Sequence, residues 1–210
     1  MTDGIRQESP LVRFDALPGT VSGAPGQAAK GATIVAAERA FLGHLNVRGD
    51  SSDAVFLDLV ERVVGLALPL EPNTFTERGM LVACWLGPDE WLVITPGERE
   101  QEIAMSLRDA LEDTVAAVTE LSGGQTIIAL LGSAVRDVLA RGCTIDIHPR
   151  AMRPGHCVQT LFGKVPVLLR CVNETPVFEV VVRRSFADYA WSYLVDAARD
   201  EAFAIVSELP

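Results

Sequence analysis

An α+β fold is predicted for this chain, with two split βαβ-like units side by side and mostly antiparallel sheets. Three observations predict it. Short β-rich runs of about five residues recur along the chain, and amphipathic helical stretches separate them. Gly, Pro, Asn and Asp clusters join neighbouring runs too tightly for parallel crossovers, so most strand pairs should be antiparallel. The element rhythm of the first half returns in the second, without a repeat at the residue level. The chain of 210 residues is 49% hydrophobic and 22% charged, enough to build a core without disulfides or metals.

Residues 1–31 hold five glycines and three prolines with almost no periodicity, and are expected to form a flexible N-terminal arm. Pro10-Leu11-Val12 and Phe14 are its only apolar anchors. Residues 32–210 are expected to form a single α+β domain of two pseudo-repeated halves, about 32–121 and 122–210. Residues 33–36 and 45–47 are predicted strands. Asp50 or Ser52 is placed to cap a helix bearing Phe56, Leu59, Val60, Val63 and Val64, with Gly65 near its end. Pro69 and Pro72 bar a helix from 68–73. The apolar runs 80–86 and 90–95 flank Gly87-Pro88-Asp89 and predict a hairpin, with Trp85 and Trp91 on either side of its turn. Ile103, Leu107 and Leu111 give 98–113 a helical stripe, and its acidic start suits the positive end of the helix dipole. Residues 115–121 close the half as a strand.

The second half opens with Gly123-Gly124 and a strand over 125–131. Ser133 is placed to cap a short helix carrying Val135, Val138 and Leu139, with Gly142 beyond it. An aperiodic stretch follows, with Asp146, His148, Pro149, Arg150, Arg153, Pro154 and Gly155. Residues 158–162, 165–171 and 177–182 read as three strands, and Ser185 with Asp188 as the capping box of a last helix.

The formal net charge of −10 disfavours nucleic acid and anionic membrane surfaces as partners. The charge is uneven: residues 1–120 carry 19 acidic and 9 basic side chains, residues 121–210 nine of each. Residues 136–184 hold eight basic side chains against four acidic ones, so the halves can offer different faces to partners. The apolar stretches 80–87 and 126–132 fall far short of the roughly 20 residues of a spanning helix. The N-terminus has no apolar signal core, and four cysteines without a Cys-x-x-Cys pair fit reduced thiols in a cytoplasm.

No self-contained active site emerges. Cys143, His148, His156 and Cys157 lie close in sequence, but their spacings match no zinc motif, and adjacent side chains on an extended chain point apart. A Cys143–His148 dyad is weakly indicated, because no nucleophile signature surrounds it. Phosphate-binding and dinucleotide loops are missing. No catalytic, cofactor-binding or metal residue is therefore assigned. Absence of such a site favours a binding or structural role, or a subunit of a larger enzyme.

Several blocks together resemble one family, in order and over essentially the whole chain. Trp85-Leu86-Gly87-Pro88-Asp89-Glu90-Trp91-Leu92 and Arg141-Gly142-Cys143-Thr144-Ile145-Asp146-Ile147-His148-Pro149 are similar to blocks of the gamma subunit of heterotetrameric sarcosine oxidase. So are Gly155-His156-Cys157-Val158-Gln159-Thr160 and Arg184-Ser185-Phe186-Ala187-Asp188-Tyr189-Ala190-Trp191, with Ser9-Pro10-Leu11 and Asn46-Val47-Arg48-Gly49 before them. The glycine-rich stretch 19–31 is longer than that pattern. The resemblance implies an aminomethyltransferase-like, folate-binding-type fold. It implies a non-catalytic gamma subunit that supports assembly with alpha, beta and delta subunits. That complex demethylates sarcosine oxidatively to glycine, with hydrogen peroxide and, given tetrahydrofolate, methylenetetrahydrofolate. FAD and covalent FMN would belong to beta, NAD and the folate site to alpha, and zinc to delta, with none in this chain. The alternatives are a stand-alone folate-binding aminomethyltransferase-like protein, or the equivalent subunit of another N-methyl amine oxidase. Arg141, His148, Arg150 and Arg153 are expected at the interface with the large subunit, since arginine is enriched at interfaces. The competing expectation is that Asp146 and His148 merely pin the loop to its own domain.

Overall fold

The computed structural model describes residues 7–12, 31–175, 177–207 and 209. Its strands form two sheets. The six-stranded sheet has the order β11-β1-β7-β10-β9-β8 and the five-stranded sheet β3-β4-β5-β2-β6. The strands are β1 Ile34–Arg39, β2 Gly43–Arg48, β3 Phe75–Arg78, β4 Leu81–Gly87, β5 Glu90–Thr95, β6 Ala117–Glu120, β7 Gln125–Leu131, β8 Cys157–Phe162, β9 Val165–Asn173, β10 Val177–Arg183 and β11 Phe203–Ile205. The helices are α1 Ala54–Val64, α2 Glu100–Ala110, α3 Val135–Ala140 and α4 Arg184–Ala197. Every strand pair is antiparallel except β1 with β11. The predicted α+β class with mostly antiparallel sheets is therefore what the chain adopts.

Alternation along the strands builds four layers, because side chains two apart share a face. Leu45, Val47, Trp91 and Val93 face α1 and α2 in one core. Ile128, Leu130, Phe178, Val180 and Val182 face α3 and α4 in another. The opposite faces meet in a third, where Val82, Cys84, Leu92 and Ile94 pack against Ile127, Leu168 and Val181. The sheets thus lie face to face with helices outside. They also join at one edge, where Phe75 N donates to Gly155 O at 3.0 Å and Cys157 N to Asn73 O at 2.8 Å. The chain starts in the six-stranded sheet with β1, builds the five-stranded sheet with β2 to β6, and returns with β7.

The predicted hairpin is β4 and β5, with Trp85 directly opposite Trp91. Trp91 is fully buried, tilted against Phe56, and its indole N–H donates to Pro69 O at 2.7 Å. The proline-containing stretch 68–73 thereby gives a partner to a buried donor.

Three capping expectations are corrected. Asp53, not Asp50 or Ser52, caps α1, its carboxylate accepting from Val55 N at 2.8 Å. Asp50 instead closes a local turn on Ser52. Ser133 does not cap α3, and Ser185 and Asp188 lie inside α4, which starts directly where β10 ends. Backbone supplies those bonds: Ala134 N donates to Thr33 O, and Arg184 N to Gly124 O. Gly65 does close α1 in the left-handed conformation, its N–H on Glu61 O.

Gly132 ends β7 at φ 136° against β1, where a Cβ would strike the Thr33 carbonyl and lie 3.1 Å from Ile34 Cα. Gly132→Ala is expected to cost at least about 2 kcal/mol, from backbone strain plus overpacking. Urea unfolding checks this, and a change below about 0.5 kcal/mol, the scale of an ordinary surface substitution, would refute it.

Candidate interaction site

The stretch after α3 is held at its base and free at its tip. Ile147 and Met152 insert into the core beneath α3 and α4. Arg136, from α3, donates to Ile147 O at 2.6 Å and Met152 O at 3.0 Å, with its guanidinium 4.8 Å from the Phe178 ring centre. One arginine thus satisfies two loop carbonyls while its plane covers an aromatic face. In the sequence Arg136 shows only as one of the eight basic side chains of residues 136–184. Its spacing to the loop carried no signal, because the bonds are to backbone.

The four expected site residues divide. Arg141 is engaged with its own chain: its guanidinium donates to Ala197 O, lies 3.6 Å from Glu201, and its carbonyl accepts from the Tyr193 hydroxyl at 3.1 Å. His148, Arg150 and Arg153 are exposed. Asp146 accepts from His148 N at 2.9 Å, and His148 Nδ1 from Arg150 N at 3.2 Å. Arg150 reaches Asp146 at 3.7 Å, an open pair worth little. Asp146 and His148 therefore shape the loop, while its side chains at 150 and 153 remain presented outward.

Tyr193 belongs to an aromatic group on the outer face of α4. It stacks on Tyr189 at 6.1 Å and meets Phe162 edge-on at 5.1 Å. Leu161, Phe186 and Tyr189 are about 40% exposed. Exposed aromatic and basic side chains near one helix are the composition of a protein contact surface.

The remaining candidates do not assemble into a reactive centre. Among the described residues no three His, Cys, Asp or Glu side chains converge to hold a metal. Cys143 bridges by backbone to Phe162, and burial pushes its thiol up to about 11, so it stays protonated at neutral pH. Cys157 lies between the sheets with its thiol on Thr74 O at 3.1 Å. The Cys84 thiol beside it is pushed well up by its bond to Cys157 and by burial. Among the described residues no helix is long and apolar enough to cross a membrane.

Comparison with known proteins decides the family. Residues 48–200 match the model of the sarcosine oxidase gamma subunit family. The chain belongs to that family. Two curated relatives bear the name sarcosine oxidase subunit gamma. The one from Corynebacterium sp. (strain P-1) is 33% identical over 84% of this chain and 85% of its own length. The one from Arthrobacter sp. is 30% identical over 86% of this chain and 88% of its own. In fold, the chain matches a chain of the heterotetrameric sarcosine oxidase from Corynebacterium sp. U-96, solved in complex with pyrrole 2-carboxylate. The TM-score is 0.80 at 24% identity, covering 92% of this chain and 95% of that one. It also matches the glycine cleavage system aminomethyltransferase T of Bartonella henselae, with TM-score 0.67 at 14% identity over 94% of this chain and 58% of that one. The expected aminomethyltransferase-like fold is thus found.

Proposed function

We propose that this gamma chain is a non-catalytic assembly subunit of a cytoplasmic heterotetrameric sarcosine oxidase, packing with alpha, beta and delta subunits. Family membership over residues 48–200 carries this reading. In it, FAD and covalent FMN reside in beta, NAD and tetrahydrofolate in alpha, and zinc in delta. Oxidative demethylation of sarcosine to glycine takes place in those subunits. The loop from Arg141 to Arg153 contacts the large alpha subunit. Arg141 fixes its base to the end of α4, and His148, Arg150 and Arg153 meet the partner.

The loop's construction supports that role. Its core plugs, Ile147 and Met152, and the Arg136 bonds hold the backbone before any partner arrives, which lowers the ordering cost of binding. Double reversal, Arg150→Glu with Arg153→Glu, is expected to weaken assembly by roughly 1–3 kcal/mol. The melting temperature of the chain alone should stay within the range of surface changes. Co-purification with tagged alpha subunit at low protein concentration measures the first, and thermal unfolding the second. Normal co-purification of the double variant would remove the loop from the interface.

A further inference from the structure

Two of the four cysteines meet where the sheets join. Cys84 on β4 and Cys157 on β8 are both fully buried in the core between the sheets. β4 belongs to the five-stranded sheet, and β8 is the outermost strand of the six-stranded one. β3 brings the two together. Phe75 stands directly across from Cys84, and Thr74 beside it bridges to His156, the residue before Cys157. Cys157 Sγ lies 3.1 Å from Thr74 O and 3.7 Å from Trp85 O, the carbonyl next to Cys84. The two thiols are hydrogen-bonded to one another.

A buried thiol is ordinarily inert, because burial keeps it protonated and packs it among apolar groups. Cys157 is set apart by Arg170, which stands directly across from it on β9. A guanidinium beside a thiol favours the thiolate. The bond from Cys84 and the charge of Arg170 hold the Cys157 thiol below its ordinary range against the effect of burial. The other two cysteines pack in the core beneath α3 and α4. There Cys171 meets the Arg136 guanidinium at 3.6 Å, and burial keeps Cys143 protonated.

We infer that Cys84 and Cys157 form a reversible disulfide that ties the two sheets together when a peroxide oxidises them. The Cys157 thiolate attacks one peroxide oxygen. The O–O bond breaks and hydroxide leaves, so the sulfur is oxidised to a sulfenic acid and the peroxide is reduced. The Cys84 sulfur then attacks Cys157, the S–O bond breaks, and the oxygen leaves as water with the Cys84 proton. Two thiols and one hydrogen peroxide give one disulfide and two waters. The pair is no catalytic centre, since it reacts once and waits for an external dithiol to restore it. Access comes from local opening of the joint, where Phe75 N on Gly155 O and Cys157 N on Asn73 O hold the sheets edge to edge. The chemistry needs this chain alone and is independent of the assembly role.

The test uses the full-length chain, reduced, desalted and exposed to hydrogen peroxide. Met105 is 63% exposed, and its conversion to the sulfoxide reports that the peroxide has acted. After quenching with catalase, the chain is unfolded in guanidinium chloride containing N-ethylmaleimide and mapped by mass spectrometry. Two of the four cysteines should escape the reagent, in a peptide pair that links Cys84 to Cys157. Dithiothreitol should return all four. The oxidised chain should unfold at a higher urea concentration than the reduced one, because the bond constrains the unfolded chain between residues 84 and 157.

Variants assign the two sulfurs. Cys84→Ala should leave Cys157 to proceed to the sulfinic acid, having lost the thiol that resolves it. Cys157→Ala should leave Cys84 free to take the reagent. The wild-type map stands by itself if either variant folds poorly. Three results would overturn the inference. One is Met105 sulfoxide with all four cysteines still reactive. Another is linkage through Cys143 or Cys171, which would place the reaction in the unfolded chain. The third is a Cys84–Cys157 bond that leaves the urea midpoint unchanged or lowers it.

Discussion

Glu179→Ala is expected to cost about 3–5 kcal/mol of folding stability, as when one partner of a buried ion pair is removed. Glu179 on β10 stands directly across from Arg170 on β9, on the faces where the two sheets meet. Arg170 Nε donates to Glu179 Oε2 at 2.7 Å, and the two side chains are 3% and 5% exposed. Arg39, at the end of β1, also pairs with Glu179. Arg170 extends across the layer to Glu77 on β3 at 3.0 Å and lies 4.6 Å from the Phe75 ring centre. Burial pushes the Glu179 carboxyl up, but Arg170 and then Arg39 hold it below the usual carboxylate range. Removing Glu179 takes the ion pair from Arg39 and leaves Arg170 with Glu77, 42% exposed, as its one acidic partner among the described residues. Urea unfolding at neutral pH measures the loss. Replacing both partners, Arg170→Met with Glu179→Met, should recover most of it, because two apolar groups need no counterion. A loss below about 1 kcal/mol for Glu179→Ala would show that the network contributes only as an exposed pair does.

This network also marks where the sequence stops being informative. The strands and the amphipathic helices were legible because period 2 and period 3.6 survive in short windows, as in Leu45 and Val47 or Ile103 and Leu107. The face-to-face packing of the sheets was not, because a strand buried on both faces shows which residues are apolar but not which partner covers each face. Arg170 and Glu179, nine positions apart, looked like ordinary charges until the β9–β10 register placed them opposite one another. β3 and β11 are four and three residues long and take their identity from neighbours rather than from propensity. The caps failed for a related reason. Ser133 and Ser185 have the right side chains, but backbone carbonyls of Thr33 and Gly124, far away in sequence, bond the first N–H groups instead. At the loop, charge excess singled out a stretch whose residues His148, Arg150 and Arg153 are exposed. It did not show that Arg141 is spent on the end of α4, since that bond joins residues 56 positions apart.

Acidification is expected to destabilise the chain by about 3 kcal/mol between pH 6.5 and 4 through His44 alone. His44 lies on β2 facing the opposite sheet, fully buried. Burial lowers it from 6.5 to about 4, and its bond to Leu42 O opposes this only in part. With Leu42 O as acceptor, Nδ1 carries the proton of the neutral ring, and Nε2 has no partner among the described residues. The unfolded chain therefore binds a proton near pH 6.5 that the folded chain refuses until about pH 4. The stabilisation is complete above pH 6.5, declines by about 1.4 kcal/mol per unit through this window, and is gone below it. Glu179 also loses stabilisation in acid, but its carboxyl lies below the usual range, so most of its loss falls at lower pH. Urea unfolding of the wild type and His44→Phe at pH 7 and pH 4.5 isolates the histidine, since carboxylate contributions cancel between the two chains. Should His44→Phe fold poorly, the ring C–H resonances of the wild-type histidines, followed by NMR, give the same answer directly. His44 should still be neutral at pH 5, when an open imidazole is protonated. Equal pH slopes in the two chains, or a His44 titration near 6.5, would mean that the ring opens to water.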